Sequence, residues 1–159
     1  MLFRSYHARV PFVKGMQQAL ITRLNKQTTD EAYLRSLRGR RLTFDQWEPD
    51  SFELTKAYKK QEAEQKYGRT RLKRAYTYKS LNKLIQASAA DMTKQAMVNV
   101  YKEGIVPLIQ VHDELCCSVV DRSEAMKIKK IMESAIPLEI PSRCDLEIGP
   151  SWGQAVDIT

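Results

Sequence analysis

Apolar residues at Val13, Met16, Ala19, Leu20 and Leu24 recur at helical spacing, which predicts a helix over Val10–Lys26. Pro11 falls in its first turn, where a missing N–H costs nothing. Thr28-Thr29-Asp30 breaks the pattern. Tyr33 to Leu42 alternates loosely around Arg38-Gly39-Arg40-Arg41, which predicts a short hairpin with Gly39 in its turn. Residues 43–53, with Trp47-Glu48-Pro49-Asp50, read as loop. Leu54 to Tyr67 is a strongly charged helix with a narrow apolar stripe, hence exposed, and Gly68 stops it.

The clearest helix runs from Tyr76 to Glu103 and is ended by Gly104. Leu81, Leu84, Ile85, Ser88, Met92, Ala96 and Val100 follow one another at steps of three and four. After Gly104 the period becomes strand-like. Ile105–Val111 and Glu114–Val120 are two β-rich runs joined by His112-Asp113, a two-residue hairpin loop. Asp121-Arg122-Ser123-Glu124 supplies capping residues for a helix over Ala125–Ala135, which Pro137 and Pro141 end. Asp145–Ile148 is a short last strand, and Trp152 packs near the end. The fold class is α+β: long helices plus a small antiparallel sheet. The expected organisation is a single domain over 1–159, with a basic helical and hairpin segment over 1–75 and a helix–hairpin–helix–strand core over 76–159.

Composition narrows the class. A chain of 159 residues that is 43% hydrophobic can bury a core and is too apolar to be disordered. It contains no run of 18 or more apolar residues, so no transmembrane helix is expected. Met1-Leu2-Phe3-Arg4-Ser5-Tyr6 lacks the apolar core of a signal peptide, which implies a cytoplasmic protein. Charge is uneven: residues 1–83 hold 19 Lys+Arg against 8 Asp+Glu, net +11, and residues 84–159 hold 7 against 11, net −4. Such asymmetry suits a polyanion on one side and cations on the other, or simply a solvated basic face. Cys116, Cys117 and Cys144 have no zinc spacing and read as reduced, partly buried thiols.

Two places could carry chemistry. His112-Asp113-Glu114 presents three polar groups at the tip of an otherwise apolar hairpin, and a carboxylate there suits a hard cation such as Mg²⁺. Asp is also a common turn residue, so the turn alone leaves both readings open. On the long helix, Lys79, Asn82 and Gln86 fall at i, i+3 and i+7 and share a face. Asn and Gln can donate to the minor-groove acceptors present at every base pair, and Lys79 adds charge for phosphate. A solvated polar stripe is the plain alternative.

Together these pieces form a string. Leu81-Asn82-Lys83-Leu84-Ile85-Gln86-Ala87-Ser88-Ala89-Ala90-Asp91 is followed by Gln110-Val111-His112-Asp113-Glu114-Leu115. The string closely resembles the C-terminal part of family A DNA polymerases, the DNA polymerase I family, and especially its bacteriophage members. There the motifs read N-x-x-[IL]-Q-G-[ST]-A-A-D and Q-V-H-D-E. Leu37-Arg38-Gly39-Arg40-Arg41 resembles the preceding T-x-x-G-R-R segment, and Ile148-Gly149-Pro150-Ser151-Trp152 resembles the G-x-x-W close. The likeness covers essentially the whole chain.

The resemblance implies roles. Asp113 would be the palm carboxylate on the catalytic β-hairpin that binds Mg²⁺. Glu114 would be its acidic neighbour with a weaker or indirect metal role, and His112 would sit near the primer terminus. Asn82 and Gln86 would touch the minor groove of the primer–template, with Lys79 beside them. Arg40 and Arg41 would lie close to the duplex backbone or brace the palm. The implied substrates are primer–template DNA and dNTPs, in a bacterial cell or phage-infected host. Three positions depart from the family pattern: Tyr78 stands where an Arg is common, Ala87 replaces a Gly, and Cys116-Cys117-Ser118 replaces a more hydrophobic strand.

Nucleotidyl transfer of this kind uses two metal ions about 3.5–4 Å apart, held between two carboxylates. The family's first carboxylate lies in D-Y-S-x-I-E-x-R, which has no counterpart here; nor do the fingers and thumb. The expectation is a split enzyme whose N-terminal fragment or subunit carries those parts, with this chain completing the palm. The alternative is a non-catalytic DNA-binding accessory or remnant module. An unrelated metal-dependent phosphohydrolase would need more ligands, and His7 is the chain's other histidine.

Overall fold

The protein is described from a computed structural model, over residues 9–51, 55–68 and 71–158. The described residues hold four α-helices and nine short strands in small antiparallel sheets, an α+β arrangement. The chain divides into two compact units, Met1–Ala87 and Ser88–Thr159.

In the first unit, helix α1 (Pro11–Asn25) starts with Pro at its first positions, as its sequence requires. Only its C-terminal end is deeply packed: Leu24 is buried, whereas Met16, expected on the core face, is 47% exposed. The predicted hairpin is present as β1 (Ala32–Arg35) and β2 (Arg41–Phe44), paired from Ala32↔Phe44 to Arg35↔Arg41. Gly39 has φ 82, a left-handed backbone that the turn needs and glycine adopts without strain. Alternation places Ala32, Leu34, Leu42 and Phe44 inward, where with Leu24 they form the core that Leu20, Leu84 and Ala87 flank.

Residues 43–53 are not all loop. Gln46–Pro49 form β3, the centre of a three-stranded sheet between β4 (Tyr58–Lys59) and β5 (Leu72–Arg74). Pro49 is tolerated because β4 pairs only Gln46 and Trp47, so at residue 49 the strand is an edge on that side. The charged helix is shorter than expected. Tyr58 pairs with Trp47 as strand, so helix α2 covers Lys60–Tyr67 and ends at Gly68 with φ 78. Leu54, its expected start, lies outside the described residues. The long helix also begins later: Tyr76 adopts φ 58, Thr77–Lys79 form a 3₁₀ turn, and helix α3 runs Ser80–Lys102.

In the second unit, the remainder of α3 contributes Ala96 and Val100 to burial, and Gly104 turns the chain with φ 83. Strands β6 (Pro107–Val111) and β7 (Glu114–Cys117) form the central hairpin, shorter at both outer ends than the apolar runs suggest. Helix α4 (Arg122–Glu133) starts where Asp121 Oδ1 accepts from the Glu124 N–H at 2.8 Å, while Glu124 Oε2 accepts from the Val120 N–H at 2.8 Å. Val100, Ile105 and Ile128 form the core, with Leu115, Cys117, Val119, Ile131 and Met132 packed around them. The chain closes with β8 (Glu147–Ile148), paired to a strand the sequence did not announce, β9 (Val156–Asp157). No helix among the described residues is long and apolar enough to cross a membrane.

Candidate active site and nucleic-acid interface

The acidic tip is built by register. Val111 pairs with Glu114, which leaves His112-Asp113 as a two-residue loop. His112 takes φ 51, a left-handed conformation in which His is enriched several-fold relative to other non-glycine residues. Gln110 holds it there: its side-chain amide donates to the His112 carbonyl across the turn. Asp113 is exposed and makes no hydrogen bond or ion pair among the described residues. Glu114 is engaged. Its Oε1 accepts from the Trp152 indole N–H at 3.2 Å and from the Cys116 thiol at 3.7 Å. Burial, then the Glu114 charge, pushes the Cys116 thiol upward, which keeps it a donor. Cys144 is raised mainly by burial and then by Glu133, with Asp113 a minor contributor. All three cysteines are free and half-buried.

Asp113 offers the hard oxygen that Mg²⁺ prefers. No group of three or more His, Cys, Asp or Glu converges on a metal site among the described residues. His7 lies outside the described residues.

The nucleic-acid candidates sit in the first unit. Lys79 belongs to the 3₁₀ turn, not to the α-helix, so it precedes the face it was expected to share. Its ammonium lies 4.9 Å from the Tyr76 ring centroid and 5.6 Å from that of Tyr78, the residue standing where the family pattern has Arg. Asn82 and Gln86 are one turn apart on α3, and both are exposed. Lys83 turns the other way, donating to the Thr43 carbonyl at 2.9 Å above the Phe44 ring.

Arg40 and Arg41, adjacent in sequence, do different things. Arg40 Nη2 donates to the Ala87 carbonyl at 3.1 Å and ties the hairpin to α3. The Ala87 methyl packs on the first core, which gives this departure from glycine a packing role. Arg41 lies 4.0 Å over the Tyr33 ring, with Arg35 at 5.4 Å. Hydrogen bonds from Arg41, then Arg35, pull the Tyr33 phenol below its ordinary value. Sequence reading missed Gln110, Tyr33 and the Trp152–Glu114 link. Gln110 had a local signal, a side chain two residues from the carbonyl it binds. The Trp152 link spans 38 residues and had none.

The motifs and their geometry point to a polymerase, and comparison with known proteins fixes the family. The family model for DNA polymerase family A matches residues 1–154, and the chain belongs to that family. It is 35% identical over 155 residues to a DNA-directed DNA polymerase of Pseudomonas phage M6, covering 98% of this chain and 19% of that protein. It is 42% identical over 84 residues to DNA polymerase I of Borreliella burgdorferi, covering 47% of this chain and 9% of that one. With the thermostable DNA polymerase I of Thermus filiformis it shares 39% over 83 residues, 48% of this chain and 10% of the relative. The chain thus spans about a fifth or less of the length of these curated relatives.

Proposed function

We propose that this chain is the C-terminal palm part of a DNA-directed DNA polymerase, working in Mg²⁺-dependent extension of a primer–template by dNTPs. The observation that carries the reading is the exposed Asp113 carboxylate at a register-fixed hairpin tip, within a chain of the polymerase family. Asp113 is the main metal-binding carboxylate, and Glu114 its acidic neighbour. The chemistry supplied by bound Mg²⁺ is activation of the primer 3′-hydroxyl and neutralisation of charge on the transferred phosphoryl group. Gln110 keeps the turn in one conformation, so Asp113 and His112 are presented toward the primer terminus without a reorganisation cost. Asn82 and Gln86 donate to minor-groove acceptors, Lys79 and Arg41 face phosphates, and Arg40 braces the hairpin on α3.

The first carboxylate, fingers and thumb come from further polymerase sequence, an N-terminal fragment or subunit. Exposed apolar residues on and beside β6 support such docking: Val106 is 56%, Leu108 63% and Ile109 47% exposed, on a sheet of only two strands. An isolated two-stranded hairpin is marginal in water, and bare edges invite pairing. The test mixes this chain with a family A polymerase segment that carries those parts but ends before the matched region. Templated incorporation appears only when both are present with Mg²⁺. DNA binding without incorporation would replace the reading with an accessory module.

A further inference from the structure

The Gly149-Pro150-Ser151-Trp152 segment takes no part in the steps above, yet its loop is closed by main-chain packing and internal hydrogen bonds. Strands β8 and β9 pair through Glu147↔Asp157 and Ile148↔Val156, and the loop between them closes on itself. A Cβ at residue 149 would lie 2.3 Å from the Gln154 carbonyl oxygen and 2.7 Å from the Ala155 Cα, so only glycine permits this closure. The Gln154 N–H donates to the Ser151 carbonyl at 3.0 Å, and the Ser151 hydroxyl meets Gln154 Oε1 at 2.9 Å. Arg122 Nη2 donates to the Ile158 carbonyl at 3.0 Å, which fastens the end of the hairpin to the start of α4.

What this loop presents is Trp152. Trp152 is 57% exposed, so burial does not explain a tryptophan here. Its indole N–H makes one directional bond, to Glu114 Oε1 at 3.2 Å. We infer that Trp152 is a positioning residue: the C-terminal hairpin grips the Glu114 carboxylate through one oxygen and fixes its direction beside Asp113. A Glu114 free to turn would offer a second, competing oxygen ligand at the hairpin tip; held by Trp152, it leaves Asp113 as the turn's free carboxylate. The use of that carboxylate rests on the polymerase reading, whereas the indole–carboxylate link does not.

The deciding experiment compares the indole N–H signals of the ¹⁵N-labelled full chain with those of its variants at constant pH. The chain has two tryptophans, so Trp152→Phe assigns the signal and Trp47 reports general unfolding. The Trp152 signal is expected downfield of a solvent-exposed indole and protected from exchange with water, because a carboxylate oxygen holds its N–H. Glu114→Ala shifts that signal and speeds its exchange, and Asp113→Asn leaves both in place. A Trp152 signal that is unchanged in Glu114→Ala, or that moves equally in Asp113→Asn, overturns the inference. A second arm uses templated incorporation in the mixture described above. There Trp152→Phe raises the Mg²⁺ concentration for half-maximal rate severalfold with primer–template affinity unchanged, and Trp152→His, which keeps an N–H, recovers part of the loss. An unchanged Mg²⁺ dependence in an active mixture also overturns the positioning role. If the unsubstituted mixture is inactive, the polymerase reading has failed, and the indole comparison still decides the link.

Discussion

The Arg74 guanidinium lies 4.5 Å from the Trp47 ring centroid and donates to four main-chain carbonyls: Asp30 and Thr29 at 2.8 Å, Phe44 at 2.7 Å and Gln27 at 3.3 Å. One buried side chain on β5 thus gathers the end of α1, the approach to β1, the end of β2 and the β3 sheet. Burial lowers its pKa, but the carbonyl dipoles surround a guanidinium that stays charged in proteins. Replacing it removes a charged donor from each of those carbonyls, of which Asp30 keeps a bond from the Trp47 indole N–H at 3.4 Å. Arg74→Ala should cost about 2–4 kcal/mol in denaturant unfolding, with Arg74→Lys intermediate because it loses the planar fork and the stacking. A cost below about 0.5 kcal/mol, the level of an ordinary surface change, would show that the cluster does not hold the unit together.

Gly149→Ala should be far more costly than an ordinary surface substitution. The added methyl meets main-chain atoms of Gln154 and Ala155, which cannot swing away like a side chain. The expected loss is about 1–3 kcal/mol, with the Trp152 indole signal displaced at the same time. Native stability with an unmoved Trp152 signal would contradict the tight closure.

Tyr33 gives a pH prediction. Its phenol is depressed by the Arg41 and Arg35 hydrogen bonds, so the folded state favours phenolate. The linked stabilisation is present above the unfolded value of about 10 and is lost as pH falls through the lower folded value. In a spectrophotometric alkaline titration, Tyr33→Phe should remove the earliest-ionising component, and Arg41→Gln should move it upward. If the first phenolate persists in Tyr33→Phe, another tyrosine carries it.

Lys79 in the 3₁₀ turn, with Asn82 and Gln86 on helix α3, predicts two kinds of DNA effect. Lys79→Gln should reduce the slope of log affinity against log salt by about one, because one phosphate contact is lost. Asn82→Ala and Gln86→Ala should each weaken primer–template binding by about 1 kcal/mol, similarly across sequences. An unchanged salt slope in Lys79→Gln would remove it from the interface.

What the sequence made legible follows physical range. Helix α3 and its stop were readable because a 23-residue helix repeats its pattern many times and Gly104 ends it. The Val111–Glu114 turn was readable because two apolar runs flank a two-residue gap. The β4-β3-β5 sheet was not. Its strands are two to four residues long, one ends in Pro49, and Trp47 reaches Arg74 across intervening chain. Tyr58-Lys59 followed pairing with β3 over the helical pattern around it. At the candidate site, the placement of His112-Asp113 in a two-residue turn was legible from the flanking apolar runs. Glu114's tie to Trp152 appears only when the C-terminal hairpin has folded back.

The central claim is that Asp113 is the metal-binding carboxylate of nucleotidyl transfer. Its most direct test is the rate of templated incorporation by Asp113→Asn in the reconstituted mixture, measured alongside primer–template affinity. The account predicts a rate loss of about a thousandfold or more, equivalent to about 4 kcal/mol of transition-state stabilisation, with DNA affinity retained. Incorporation at the unsubstituted rate with Asn at 113 would contradict it.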